Sequence, residues 1–250
     1  MDSAKQDKTA HFGFRTVEAE AKSGMVREVF SSVAGSYDIM NDLMSGGMHR
    51  LWKNDFVRRI NVGPGAAILD LAGGTGDIAV RMKARTGANV TICDINHEML
   101  KAGQARQFDK GESHGLRWVC GNAEHLPVPD HSLDIITIAF GLRNVTNIPQ
   151  ALADAHRALK PGGQFLCLEF SKVTVPMMAK IYDNYSFHVI PKIGELVAKD
   201  RDSYQYLVES IRMFPKQQEL AAMMQTAGFA RVKYDNLTMG VVAIHQGWKI

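Results

Sequence analysis

Past residue 66 the chain reads as short runs of continuous apolar residues separated by helical patterns. The runs are Ala67–Leu71, Val90–Asp94, Leu116–Cys120, Leu133–Phe140 and Gln164–Phe170. A strand wetted on one face alternates apolar and polar residues, whereas a run without alternation is covered on both faces. Such strands with helices between them predict a parallel sheet sandwiched by helices. One of these helices is expected over Ile148–Lys160, with Leu152, Ala155, Ala158 and Leu159 on its apolar side and a stop at Pro161-Gly162-Gly163. Two last runs, Ala230–Asp235 and Val241–Gln246, predict a hairpin closing the sheet edge. The count is seven strands, mostly parallel, with one late antiparallel strand.

Two segments lie outside this pattern. Residues 1–60 read as helices preceding the first strand and contributing to the substrate site, with the main domain following over 61–250. Residues 171–215 form an insertion between the fifth and sixth strands, too long for a bare loop and therefore expected to be helical. It is rich in apolar and aromatic residues, among them Met177, Met178, Ile181, Tyr182, Tyr185, Tyr204, Tyr206 and Phe214. About half of these are expected in plain core packing. The rest would form a lid at the carboxyl ends of the strands, where ligands bind in open α/β sheets.

The chemistry is concentrated at the end of the first strand, in Asp70-Leu71-Ala72-Gly73-Gly74-Thr75-Gly76-Asp77, with a second acid, Asp94, ending the next strand. Strand, glycine loop and an acid about 20 residues on are the parts of a nucleoside-binding Rossmann-like unit. The glycines do not fit the spacing G-x-G-x-x-G of a dinucleotide site, and no Gly-Lys-Ser/Thr of a phosphate loop follows. The segment resembles instead the D-x-G-x-G-x-G motif of class I S-adenosylmethionine-dependent methyltransferases. Ala72 stands at the first glycine position, which is compatible with a negative φ there. That cofactor has no phosphate, so Gly73 and its neighbours would cradle it through the backbone. Asp94 would accept hydrogen bonds from both ribose hydroxyls, since a carboxylate offers acceptors alone. Asn122-Ala123, after the third strand, would lie against the adenine. The bland alternative for the loop is a tight turn, with Asp94 capping a helix.

Composition narrows the setting. With 46% hydrophobic and 22% charged residues, the chain is of ordinary globular make-up. A net charge of +3 gives no argument for a nucleic-acid partner. There is no apolar run of the roughly 20 residues that a membrane helix needs, and the polar start does not resemble a signal peptide. Cys93, Cys120 and Cys167 are expected as buried, reduced thiols rather than a disulfide framework or metal site, which favours a cytoplasmic setting. No bound metal is expected.

A narrower resemblance covers nearly the whole chain. Tyr37–Lys53 (YDIMNDLMSGGMHRLWK), Phe140–Val145 (FGLRNV), Leu159–Gly163, Leu168–Lys172 and Asp200–Ile211 are similar to segments of the ubiquinone/menaquinone biosynthesis C-methyltransferases. The glycine loop and Lys-Pro-Gly-Gly are shared by many methyltransferases; the first two segments are more selective. The resemblance implies transfer of a methyl group from S-adenosylmethionine to a ring carbon of a polyprenylated quinol, either 2-polyprenyl-6-methoxy-1,4-benzoquinol or demethylmenaquinol. It implies cofactor contacts at Thr75, Asp94, Asn122 and Ala123. Many members carry serine where this chain has Ala139, a loss of about 1 kcal/mol if that hydroxyl binds cofactor. The greasy substrate tail implies peripheral contact with the inner face of a membrane; a homodimer or an association with other quinone-synthesis enzymes is a separate expectation.

Carbon methylation needs an electron-rich ring. A phenol with a pKa near 10 is mostly neutral at pH 7, and its anion pushes charge onto the ortho carbon. A nearby cation favours that anion. Arg143 is the candidate for this role, with a surface or structural salt bridge as its alternative. Asn144 and Tyr37 could position water or the quinol oxygens, and Asp38 and His49 are alternative bases. Two rival functions remain open at this stage: an O- or N-methyltransferase of another small molecule, and a non-catalytic S-adenosylmethionine-binding scaffold. The Asn/Asp-Pro-Pro-Tyr of amino methyltransferases is not found at Ala139–Leu142, which argues against DNA methylation.

Overall fold

A computed structural model describes residues 9–33, 42, 45–192, 195 and 200–250, and at 32, 33, 178, 181 and 183 the backbone alone. The strands are β1 (Thr9–Phe12), β2 (Arg15–Glu18), β3 (Ala67–Leu71), β4 (Asn89–Asp94), β5 (Leu116–Cys120), β6 (Leu133–Ala139), β7 (Leu159–Phe170), β8 (Ala230–Leu237) and β9 (Val242–Trp248). The helices named here are α1 (Ala19–Val33), α2 (His49–Arg58), α3 (Asp77–Thr86), α4 (His97–Asp109), α5 (Ile148–Ala158), α6 (Pro176–Asn184), α7 (Arg201–Met213) and α8 (Gln217–Thr226).

Seven strands form one sheet in the order β5-β4-β3-β6-β7-β9-β8, and the chain is mixed α/β as its pattern predicts. Strands β3 to β7 are parallel to one another, while β9 is antiparallel to both β7 and β8. Burial explains the unbroken apolar runs. Ile68, Val90, Ile92, Leu166 and Leu168 pack into one apolar cluster, and Leu69, Leu71, Ile136, Phe165 and Cys167 into another. Adjacent residues of one strand point to opposite faces, so each face of the sheet carries its own core.

The order of the strands locates the crevice. From β3 the chain moves outward through α3, β4, α4 and β5, then returns to lay β6 on the other side of β3. This reversal leaves a gap at the carboxyl ends of β3 and β6, where ligands bind in open α/β sheets.

The structure corrects several expectations. Residues 9–18 are not helical but an antiparallel hairpin, β1 against β2, turning at Gly13 with φ 59. The helix expected to reach Lys160 ends at Ala158, and Pro161-Gly162-Gly163 lies inside β7. Leu159 pairs with Leu133, and Gly162 N–H donates to the Lys249 carbonyl (2.7 Å), so sheet bonds hold a segment with turn composition in the strand. Cys93 and Cys167 are buried, but Cys120 is exposed at the end of the edge strand β5. Insertion 171–215 contains helices α6 and α7, with Tyr204 and Tyr206 buried and Met177 exposed. The side chains of Met178 and Ile181 lie outside the description. No helix among the described residues is long and apolar enough to cross a membrane.

Candidate active site

The glycine loop leaves β3 at the switch point. A Cβ on Gly73 would come within 2.7 Å of Ile92 Cγ2 and 3.0 Å of Asp70 Oδ2, so no larger residue fits there without displacing the strand below. Gly74 and Gly76 hold left-handed backbones, φ 53 and 80, the region open to glycine at little cost. Ala72 shares that region at φ 50, contrary to the negative φ expected of it. Its methyl lies against Gly141, where an added Cβ would approach to 2.6 Å.

Asp94 closes the loop. Its Oδ2 accepts from Gly74 N–H (2.9 Å) and its Oδ1 from Asn96 N–H (2.8 Å). Each oxygen keeps a lone pair for a vicinal diol. Burial pushes this carboxyl above its usual range, while the backbone donors pull the other way. Asp70 is fully buried below the loop, with Oδ1 bonded to the Thr137 hydroxyl (2.8 Å) and Oδ2 without a partner. Burial, reinforced by Asp77 and Asp94, raises it to about 7. At the start of α3, where a pyrophosphate would sit in a dinucleotide site, Asp77 is itself ion-paired with Lys53 (2.9 Å) and Arg81 (2.9 Å). With Asp70 raised and Asp77 offset by two cations, Asp94 is the acid whose acceptors remain open at the loop. Glycine cradle and diol acceptor thus fit S-adenosylmethionine.

The remaining expected contacts share this edge of the sheet. Thr75 is buried and borders a cavity of about 220 Å³ with His49, Arg50, Asp77, Arg106 and Lys110. Asn122 is exposed at the end of β5 and folds back on itself, its Oδ1 accepting from Glu124 N–H (3.0 Å). Ala123 packs half-buried beside it. Glu124 Oε1 in turn accepts from Thr146 and Asn147 N–H (3.1 Å each), knitting this turn to the loop after β6.

Helix α1 bridges both ends of this region, which sequence reasoning missed. Lys22 is buried and donates to the Val145 carbonyl (2.9 Å); burial lowers its ammonium to about 8 against the pull of Glu124. Near the other end of the helix, Asn96 Nδ2 donates to the Arg27 carbonyl (3.3 Å) and the Ser31 hydroxyl (3.2 Å). Asn96 also caps α4 through Glu98 and Met99 N–H.

The second half of the site grows from the ends of β6 and β7. Phe140 turns the chain with φ 57 into a short 3-10 turn, Leu142–Asn144. Arg143 there is buried, with its Nη1 donating to Glu169 Oε1 (2.9 Å) and to the Phe140 carbonyl. The guanidinium lies 5.6 Å from the Phe170 ring centroid, and its Nε is buried without a partner. Asn144 Oδ1 accepts from the Tyr206 hydroxyl (3.0 Å), and Phe12 of the N-terminal hairpin stacks on Tyr206 at 4.2 Å. Trp52, Phe140 and Phe170 form an aromatic group with centroids 4.9 to 6.5 Å apart. Arg143 and Asn144 therefore belong to one buried polar cluster with Glu169 and Tyr206, neither of which was singled out for it from sequence.

Tyr37 and Asp38 lie outside the described residues. His49 stands apart from this cluster: its Nε2 meets Asp42 Oδ1 at 2.9 Å, and burial lowers its pKa. No group of three or more metal-ligating side chains is found among the described residues.

Solved structures with this fold include a methyltransferase of Thermotoga maritima described as a possible histamine N-methyltransferase. It matches with a TM-score of 0.63 at 18% identity, over 89% of this chain and 99% of that one. Phosphoethanolamine N-methyltransferase 2 of Haemonchus contortus, solved with S-adenosyl-L-methionine, matches with a TM-score of 0.61 at 14% identity, over 84% and 56%. Among curated proteins, the ubiquinone/menaquinone biosynthesis C-methyltransferase UbiE of Paracoccus denitrificans is 54% identical over 98% of both chains. The human 2-methoxy-6-polyprenyl-1,4-benzoquinol methylase, a mitochondrial protein, is 48% identical over all of this chain and 87% of its own. The family model described as "ubiE/COQ5 methyltransferase family" matches residues 16–249. With that span and that identity joined to a methyltransferase fold and a loop fitted to S-adenosylmethionine, the chain belongs to the ubiE/COQ5 methyltransferase family.

Proposed function

We propose that this protein transfers a methyl group from S-adenosylmethionine to a ring carbon of a polyprenylated quinol, 2-polyprenyl-6-methoxy-1,4-benzoquinol, demethylmenaquinol or both. The observation that carries the reading is a buried arginine at the carboxyl end of β6, one loop away from the glycine cradle and beside an aromatic group. The names of relatives about half identical to the chain point the same way.

When bound, S-adenosylmethionine supplies an electrophilic methyl on a sulfonium. Gly73, Gly74 and Asp94 hold the nucleoside, with Thr75, Asn122 and Ala123 completing its contacts. Arg143 favours the ionised form of a quinol hydroxyl, which raises electron density at the ortho carbon. Asn144, fixed by Tyr206, orients a quinol oxygen or a water, and Tyr37 shares that task. Trp52, Phe140 and Phe170 exclude solvent and suit an aromatic acceptor. Arginine is a poor proton acceptor, so the ring proton leaves through a water or a neighbouring group. Segments 1–60 and 171–215 are read as substrate-binding additions to the 61–250 unit. The prenyl tail brings the protein to the cytoplasmic face of a membrane without a spanning helix, alone as a homodimer or with other quinone-synthesis enzymes.

The test is methyl transfer from labelled S-adenosylmethionine to short-chain analogues of both quinols, kept reduced under anaerobic conditions. A ring-methylated product by mass analysis is expected. Transfer to oxygen, or no product despite cofactor binding, would overturn the reading.

A further inference from the structure

Arg143 is not a lone cation. Its side chain and that of Glu169 are 3% and 1% exposed, and both oxygens of the carboxylate accept hydrogen bonds. Glu169 Oε1 accepts from Arg143 Nη1 (2.9 Å) and Phe170 N–H (2.8 Å), while Oε2 accepts from Arg143 N–H (3.3 Å). Thus Glu169, on β7, holds both the guanidinium and the backbone of the turn that carries it.

Two phenols border the pair and report the field that an acceptor hydroxyl would meet. Tyr206 reaches it from α7 and Tyr182 from α6. Burial pushes both phenols up, Tyr182 to about 12. Arg143 pulls both down, and Glu169 pushes Tyr206 back up. The other groups that face this cluster are Arg212 and Tyr185, near Tyr182, and Cys167 on β7, whose thiol burial and Glu169 keep neutral. Across the sheet Glu169 pairs with Ala243 of β9, which brings no charge.

We propose that Glu169 is a positioning residue for the methyl transfer: it holds the Arg143 guanidinium at the phenolic oxygen of the acceptor and offsets part of its charge. This rests on reading the site as a quinol site. The pairing leaves a site with little net charge, which admits a neutral quinol without a large desolvation penalty. Its ionisation is then favoured only as far as Arg143 outweighs Glu169.

Glutamine keeps the shape and one acceptor oxygen for Arg143 Nη1 and Phe170 N–H, while its amide nitrogen faces Arg143 N–H, so it removes the charge together with the longest of the three bonds (3.3 Å). Charge and position are therefore tested by two variants. In the first, 2-geranyl-4-nitrophenol is bound together with S-adenosylhomocysteine, and its ionisation is followed by the colour of the nitrophenolate. In Glu169→Gln the midpoint is expected about one pH unit below that of the parent protein, because the guanidinium then acts unopposed. Equal midpoints, or a higher one in the variant, would overturn the charge offset. In Glu169→Asp the charge is kept but the reach shortened. Turnover is expected to fall about tenfold with KM for the quinol unchanged, since misplacement alone can cost that much. Parental turnover in Glu169→Asp would overturn the positioning role. If the parent binds S-adenosylhomocysteine but not the nitrophenol, the quinol reading fails and this proposal with it; binding with equal midpoints sinks the offset alone.

Discussion

Ala72 shows how a single residue can carry strain at the edge of a site. A left-handed backbone costs a residue with a Cβ about 1–2 kcal/mol, and φ 50 places Ala72 there. Glycine would relieve this but lose more entropy on folding, about 0.5–1 kcal/mol. Ala72→Gly is therefore expected to leave stability within about 1 kcal/mol of the parent, read from urea midpoints; a clear loss would mean the alanine is not strained. Arg143 makes a second case. Arg143→Ala would strand the buried Glu169, so Arg143→Lys is the cleaner probe: it keeps the charge and loses the fork. Turnover is expected to drop about 10²-fold with S-adenosylmethionine affinity retained, measured by kinetics and by calorimetry. Equal loss of cofactor binding would place Arg143 on the wrong half of the site. The turn at Gly73–Gly76 and the placing of Asp94 beside it follow from local spacing and were legible in the sequence. Glu169 announced itself only as a carboxylate inside the apolar run Leu166–Phe170, which has to be paired. Its partner, 26 positions earlier, becomes a neighbour through the pairing of β6 with β7, which no local pattern states.

Among the elements, α1 combines core packing through Val26 with a few polar contacts. Asn96 serves two helices at once, capping α4 and holding the Arg27 carbonyl and Ser31 of α1. Loss of an N-cap alone costs about 1 kcal/mol. Asn96→Ala is expected to cost about 1–2 kcal/mol in urea unfolding and to speed hydrogen exchange over residues 19–33. Faster exchange confined to α4 would show that α1 is held by other contacts. Strand runs were readable because burial on both faces leaves an unbroken apolar signature, and the helices of the insertion because the segment is too long for a bare loop. The β1–β2 hairpin was not, since its eight strand residues are largely wetted and carry no such run. Nor was the strand role of Pro161-Gly162-Gly163, where tertiary pairing with Lys249 overrides a local turn preference.

On the scale of the whole molecule, the buried acid under the loop ties stability to pH. Asp70 in the folded protein is raised from 3.8 to about 7, so between those values the folded state holds a proton that the unfolded chain has released. Stability from this group is then present at low pH and lost as pH rises through the window. The stability of the parent relative to Asp70→Asn is expected to fall from about pH 4 to pH 7 and to level off above. A rising difference in urea titrations would contradict the burial seen here. His245 and His49, whose pKa values burial lowers, act in the opposite sense below pH 6.5 but are common to both proteins.

The late antiparallel strand has a consequence for how the molecule is made. Strand β7, which carries Glu169, is flanked on one side by β9, and roughly 70 residues separate Phe170 from Val242. At about 5–20 residues per second on the ribosome, β7 waits about 4–14 s with one edge bare. During that interval a nascent chain already able to shape the nucleoside loop offers an unpaired apolar edge, the kind of surface that aggregates or recruits a chaperone. Slowing translation after residue 170 should thus lower the soluble yield more than slowing it after residue 248.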